Sequence, residues 1–177
     1  MNADETKIAR TMLPNIPAEV FDEFLKPIII DIGWPFRTIY TLLEGTDWHR
    51  ILYPLSLVSL SQLKWVRQHF FLKHESLCPI SQEDIRYVIL NKTEDVWALV
   101  GRDSQPCRDS LLWHEKFTSE TGSFSAPVTI AMTYLGLKIL DGNHRIAALY
   151  TLGLLDTHKV DAWIGISPEA IKAMSEA

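Results

Sequence analysis

Cysteine is scarce. Cys78 and Cys107 are the only two in the chain, too few for the disulfide framework that holds small secreted domains together. They suit a reducing compartment. Zinc signatures are missing as well. No Cys-x-x-Cys occurs, and no two of the six histidines stand at the i, i+4 spacing of a helical zinc site. The absence of a Gly-x-Ser-x-Gly elbow argues against a serine hydrolase, and no P-loop sequence of the Gly-x-x-x-x-Gly-Lys-Ser/Thr type is present. No apolar run approaches the roughly 20 residues that a membrane-spanning helix needs. Met1 is followed by polar Asn2, Asp4, Glu5, Thr6 and Lys7 rather than by a secretory leader. These features lead us to expect a cytoplasmic protein with no membrane partner. Basic residues do not dominate either. Lys and Arg number 17 against 22 Asp and Glu, a net charge of −5. Broad nucleic-acid binding needs a basic face, so the balance argues against nucleic acid as a partner.

What is present is ordinary globular material, 177 residues with 47% apolar and 22% charged. That fits one domain able to bury a core, with an N-terminal extension. The most informative stretch is Asp141-Gly142-Asn143-His144-Arg145. The apolar run Leu137 to Leu140 before it reads as a strand. Ile146, Leu149, Tyr150 and Gly153 after it mark an amphipathic helix ending on a glycine. A strand therefore ends, the chain turns on Gly142, and a helix begins with its N–H groups unpaired and facing outward, so Arg145 is expected at an exposed helix start. A helix start carries about half a positive charge and several orphan donors. Arg145 adds a planar guanidinium suited to phosphate oxygens, and His144 adds a ring donor or acceptor. Gly142 has no Cβ to hold a ligand away from the backbone. The physical expectation is an anion site, with phosphate as the natural occupant.

The same residues resemble the ParB/sulfiredoxin superfamily, whose members carry a Gly-x-His-Arg or Gly-x-Arg-Arg turn ahead of a helix. Gly122 to Ile130, with Pro127 inside it, is similar to the segment that precedes the family's strand. Lys159 to Gly165 is similar to its closing strand, and the likeness runs from about Ser119 to Ile166. More weakly, Tyr53 to Leu63 looks like the family's first strand, while the first fifty residues resemble nothing identifiable. The resemblance implies a nucleotide held by its phosphates at the turn. It also sets limits. Sulfiredoxins carry their reactive cysteine where Asn143 stands here. An amide cannot form the thiol-based intermediate, and Cys78 and Cys107 lie far off in sequence. Only a short tail follows Ile166, so the helix-turn-helix of the partition proteins is not expected.

Along the rest of the chain, residues 1–13 read as polar with scattered apolar positions, the extreme start being frayed. Pro17 opens a helix through Val20, Phe21, Phe24, Leu25 and Ile28, which Pro27 ends or kinks. Its expected role is to cover the core. Ile32 to Phe36 reads as an aromatic turn and Arg37 to Leu43 as a short helix. Ile51 to Leu60 reads as a strand, followed by a helix capped by Ser61 and carrying Lys64, Trp65, Arg67 and Phe70. Within the family, a basic residue in this place can reach the ligand. Ser81 is the expected cap of a helix through Ile85 and Val88. Val96 to Gly101 reads as a strand, Arg102 to Arg108 as a loop, and Asp109 or Ser110 as the cap of a helix through Leu111, His114 and Phe117. Thr118 to Ala126 is a loop expected beside the turn. The spacing of 128–132 and 137–140 predicts a β-hairpin. A short helix around Ile171 and Met174 closes the chain.

The resulting expectation is an α+β (mixed α/β) ParB/sulfiredoxin-like domain over residues 51–177, with a helical extension over 1–50. Gly142, Asn143, His144 and Arg145 would bind the phosphates of a nucleotide or another phosphorylated small molecule. Asp141 and His144 are the catalytic candidates. Asp141 can act as a base, orient His144, or hold magnesium. Enzyme and binding module both stand. The first is a magnesium-dependent phosphotransferase or phosphohydrolase, and the second a non-catalytic inhibitor or immunity-type protein with a protein partner. A nuclease is the third reading, which the acidic charge disfavours. If an enzyme, the chain should also turn Glu115, Glu120 or Asp161 into the same cavity, since phosphoryl transfer requires groups that converge.

Overall fold

The structure, a computed structural model, describes residues 2–34, 47–100 and 103–168. The first elements are helical: α1 (Asn2–Met12), then α2 (Ala18–Val20), a π-turn (Phe21–Leu25) and α3 (Lys26–Ile32) in one continuous run. Of the scattered apolar positions in residues 1–13, Ala9 and Leu13 join the core, both fully buried. Pro27 does not end its helix. The Lys26 N–H reaches back five residues to the Phe21 carbonyl, and this widened turn accommodates a proline in the first turn of α3. The aromatic turn is described only through Gly33 and Trp34. Its remainder and the expected helices at 37–43 and around Ile171 lie outside the described residues.

The stretch expected to be the first strand is helical instead: α4 (Asp47–Leu52) and α5 (Leu57–Gln62). Ser56 is the cap, its Oγ accepting from the Ser59 N–H at 3.0 Å. Serines that alternate with apolar residues look like strand periodicity, but here one of them starts a helix. The expected helix after it is β1 (Lys64–Phe71). Next come α6 (Pro79–Leu90), a 3-10 turn (Val96–Val100) where a strand was expected, and α7 (Gln105–Thr121). Both long helices begin earlier than expected, and both carry proline in the first turn. Proline there loses only an N–H that has no helical partner. The chain closes with β2 (Val128–Thr133), β3 (Gly136–Asp141), α8 (Asn143–Thr151) and β4 (Lys159–Ile166). Helix α8 ends as expected on Gly153 (φ +68°), with Leu154 N–H bonded to Leu149 O at 2.8 Å and Gly153 N–H to Tyr150 O at 3.1 Å.

The fold is mixed α and β. Four strands form one sheet in the order β1-β4-β2-β3. The β2–β3 hairpin and the β1–β4 pair are antiparallel, while β2 and β4 run parallel. Alternate strand residues point to opposite faces, and each face has its own core. Val128, Ile130, Ile139, Val160, Ala162 and Ile164 pack with α6, α7 and α8. On the other face Ala131 and Leu140, with Trp65 and Trp163 against them, pack under the N-terminal helices through Leu13, Phe24, Leu25, Leu60 and Leu63. Two polar devices fasten that second layer. Asn15 Nδ2 donates to the Leu60 and Leu63 carbonyls at 3.0 Å each, at the end of α5. Glu19 accepts from the Trp163 indole at 3.0 Å and from Arg67 at 3.2 Å.

The outer edge of β3 is closed by the chain itself. Leu77 makes a parallel bridge to Leu137, the Cys78 N–H donates to the Leu137 carbonyl at 2.9 Å, and Ser81 Oγ accepts from the Ile139 N–H at 2.8 Å. Ser81 is thus a fully buried edge-sealing group, not a helix cap. Ser81→Ala should strand a buried N–H and lower stability by about 1–3 kcal/mol. Urea denaturation measures this directly, and a change within error would show that the Ile139 N–H has another partner.

Candidate functional site

A cleft of about 1250 Å³ opens between the two helical layers. All five residues of the Asp141–Arg145 turn line it. Strand β3 delivers Asp141, Gly142 turns the chain, and α8 starts at Asn143. Gly142 has φ +103°, where side chains are strained, and a Cβ added there would lie 2.5 Å from Val128 Cγ1 and 3.1 Å from Arg145 Nε. Only glycine lets this turn sit so close to β2.

The expectation of a solvent-facing Arg145 is overturned. The residue is 9% exposed, and Asp22, Glu23 and Ile28 of the second layer line the same cleft. Its Nη2 donates to Asp141 Oδ2, closing an i, i+4 ion pair. Arg145 Nε and Asn143 Oδ1 are both buried without a hydrogen-bond partner. A buried polar atom left unpaired is costly, and here the turn holds an unused donor in Arg145 Nε and an unused acceptor in Asn143 Oδ1.

His144 Nε2 lies 3.2 Å from Cys107 Sγ. Distance along the sequence had set Cys107 aside, yet α7 and α8 pack together and bring the two side by side. Burial pushes the Cys107 thiol up, with Arg108 opposing, so the sulfur is a neutral thiol holding the ring rather than a thiolate. Burial likewise pushes His144 down from its ordinary value, Asp141 opposing and Arg145 assisting. His114, absent from the sequence-based candidates, also lines the cleft. Burial, then Arg145 and His144, bring it down to about 4, with Asp141 opposing. Both rings are neutral donor–acceptor groups at neutral pH.

The lowered His114 has a consequence for acid stability. The unfolded histidine takes up a proton near 6.5 and the folded one near 4. Between those values the unfolded chain binds more protons, so stability rises with pH across this window and is lost as pH falls through it. His144 acts in the same direction. Asp161, held below its usual range chiefly by its hydrogen bonds from Arg67, contributes only at lower pH. His114→Gln should flatten the stability profile between pH 6.5 and 4 in denaturant titrations, and a wild-type slope would show that His114 is not the group responsible.

The expected second carboxylate is not where the sequence placed it. Glu115 is bound by Lys92 at 2.7 Å and by Thr151 at 2.6 Å. Asp161 is bound by Arg67 at 2.8 Å, and Glu120 lies 3.9 Å from Lys116. None of the three lines the cleft, and neither does Arg67, which sits on β1 rather than on a helix. Of the 118–126 loop only Ala126 reaches it. Gly122 to Ala126 line a separate cavity of about 430 Å³ with Arg67 and His158, because α7 runs on to Thr121 and releases the chain toward β4. Besides Asp141, the main cleft is lined by Asp22 and Glu23 from the N-terminal layer and by Asp84. Lys26 binds Asp22 at 3.2 Å and Lys138 binds Asp84 at 3.1 Å, so Glu23 is the candidate second carboxylate. Burial and Glu19 raise its proton affinity, Arg145 opposes, Asp141 adds to the rise, and Arg67 opposes. Its sequence signal was hidden, since an acidic residue early in a helix is explained by the helix dipole alone.

Magnesium is usually held by one or two carboxylates together with waters and phosphate oxygens, not by an all-protein cage. Asp141 and Glu23 both line the cleft and are the residues of the right chemistry for that role. Among the described residues no group of three or more His, Cys, Asp or Glu could hold a metal, so the protein's own atoms fit such an ion only alongside a phosphate. Among the described residues, too, no helix is long and apolar enough to cross a membrane. Compared with protein-family models, curated proteins and solved structures, the chain matches none.

Proposed function

We propose that the protein binds a phosphate-bearing small molecule, a nucleotide in the leading form of this reading, with its phosphates on the Gly142–Arg145 turn. The observation that carries this is Arg145. A nine-tenths buried guanidinium with an unpartnered Nε stands beside a helix start. These are the donors an oxyanion needs. The likeness of the turn to ParB/sulfiredoxin proteins supports the same reading.

Turnover is favoured over bare binding by Glu23, a carboxylate on the opposite wall from Asp141. In a phosphotransferase or phosphohydrolase, Asp141 and Glu23 would hold magnesium, which supplies charge neutralisation on the phosphates. Asp141 or His144 would take the nucleophile's proton, since a neutral imidazole is a competent base. The thiol of Cys107 would keep the His144 ring in place. Against this, α7 presents a stacked pair, Trp113 and Phe117 at 5.1 Å, with Trp113 51% exposed and Leu112 44%. This apolar face supports the second reading, an interaction module with a protein partner.

Calorimetry with nucleoside phosphates, with and without magnesium, tests the proposal. Saturable binding that strengthens with magnesium is expected, together with slow release of phosphate that Asp141→Asn abolishes. Binding without any turnover would leave the interaction module, and no binding to any phosphate compound would remove the site.

A further inference from the structure

The phosphate turn occupies only part of the cleft. At about 1250 Å³ the space exceeds the roughly 300–1,000 Å³ of most small-molecule sites, far more than an inorganic phosphate fills. Much of the remaining lining is apolar. Ile28 and Ile51 come from the N-terminal layer, while Tyr87, Val88, Val96 and Trp97 come from α6 and the 3-10 turn after it. We propose that Trp97 and Tyr87 form a platform for a nucleobase, so that the ligand is a nucleoside phosphate rather than a phosphorylated sugar or inorganic phosphate. The inference rests on the phosphate reading of the turn and adds the ligand's other half.

Three observations carry it. Trp97 is fixed in advance. Its backbone N–H donates to Asn91 Oδ1 at 3.1 Å, which anchors the main chain there; the same oxygen accepts from Ser104 Oγ at 2.8 Å, and Asn91 is fully buried. The Trp97 ring is half-buried against the core and still lines the cleft. A surface ordered before binding loses little entropy on binding. Tyr87 is 43% exposed, so half of a large ring stands beside the cleft. Aromatic faces of this kind stack on any base.

The third observation is the spacing. Asp84 and Tyr87 are neighbours at i, i+3 on α6, and Asp84 is tied to Lys138 of β3 at 3.1 Å. From Lys138 the strand runs to Asp141 and the turn. Three strand residues span roughly 10 Å, which is about the reach from the phosphates of a nucleotide to its base.

The test is calorimetry of the full chain against inorganic triphosphate, ribose 5-phosphate, the four nucleoside triphosphates and the four nucleosides. Nucleoside triphosphates should bind on the order of ten- to a hundredfold tighter than inorganic triphosphate, the range of one base–ring stack. Trp97→Ala and Tyr87→Ala should each shrink that margin and leave inorganic triphosphate binding unchanged. Tyr87 is exposed enough that its variant keeps the fold intact. The platform is overturned by a missing margin, or by one that survives in both variants. Nucleosides that bind, and lose affinity in these variants, while no phosphate compound binds would keep the platform and remove the phosphate site. No binding of any compound removes both.

Discussion

Gly142→Ala is expected to destabilise the protein by about 2–6 kcal/mol, on the order of 5–20 °C in Tm for a chain of this size. Two independent terms add. A left-handed conformation forced on a non-glycine residue costs roughly 1–3 kcal/mol. The new Cβ would also lie 2.5 Å from Val128 Cγ1, and overpacking a dense core costs about 1–3 kcal/mol more. Gly153 supplies the control. It too has positive φ, +68°, but nothing lies within 4 Å of its Cβ position, so Gly153→Ala should show the first term alone. Combining Gly142→Ala with Val128→Ala should recover part of the loss, a coupling that only residues in contact produce. Equal losses at 142 and 153, or strict additivity with Val128→Ala, would show that the turn is not pressed against β2.

Arg145→Ala should do two things at once. Removing the guanidinium leaves Asp141, whose side chain is 35% exposed, without its ion-pair partner. The loss should lie between that of a surface pair and that of a fully buried one, about 1–3 kcal/mol. Affinity for a phosphate ligand should fall by a further 1.5–3 kcal/mol or so, the range for charge-assisted hydrogen bonds. Arg145→Lys separates the effects. It keeps the charge and part of the ion pair but loses the planar fork, so stability should largely return while phosphate affinity does not. Full recovery of affinity in the lysine variant would mean that charge alone is read at the turn. Wild-type affinity in a folded Arg145→Ala protein would remove the phosphate reading altogether.

The second half of the chain is legible because its signals are local. The Thr133-Tyr134-Leu135-Gly136 connection predicts the hairpin, and strand, turn on Gly142 and helix follow in the expected order, Gly142 having positive φ. The first half misleads because tertiary contacts decide it. Strand β1 carries Lys64, Arg67, Gln68 and His69 on an edge, and only eight-residue pairing with β4 makes it a strand. The 3-10 turn at Val96–Val100 is apolar enough for a strand, but Asn91 anchors it to the end of α6. The turn itself was readable, and its roof was not. Nothing local in Asp22-Glu23-Phe24 says that it faces residue 141, so Arg145 seemed exposed and Glu23 went unnoticed. Cys107 beside His144 was invisible for the same reason.

The N-terminal helices meet the sheet through Leu13, Phe24 and Leu25 against Ala131 and Leu140, and they bring Glu23 and Ile28 to the cleft. The recognition stretch is therefore not a portable module. A fragment cut after Arg50 would keep every residue of the Asp141–Arg145 signature and half a binding site. It would also present Leu57, Leu60 and Leu63 to water, a sticky face in place of a wall. Grafting the signature with its flanking strand and helix onto another scaffold would transfer the letters without the enclosure that gives a buried arginine its force.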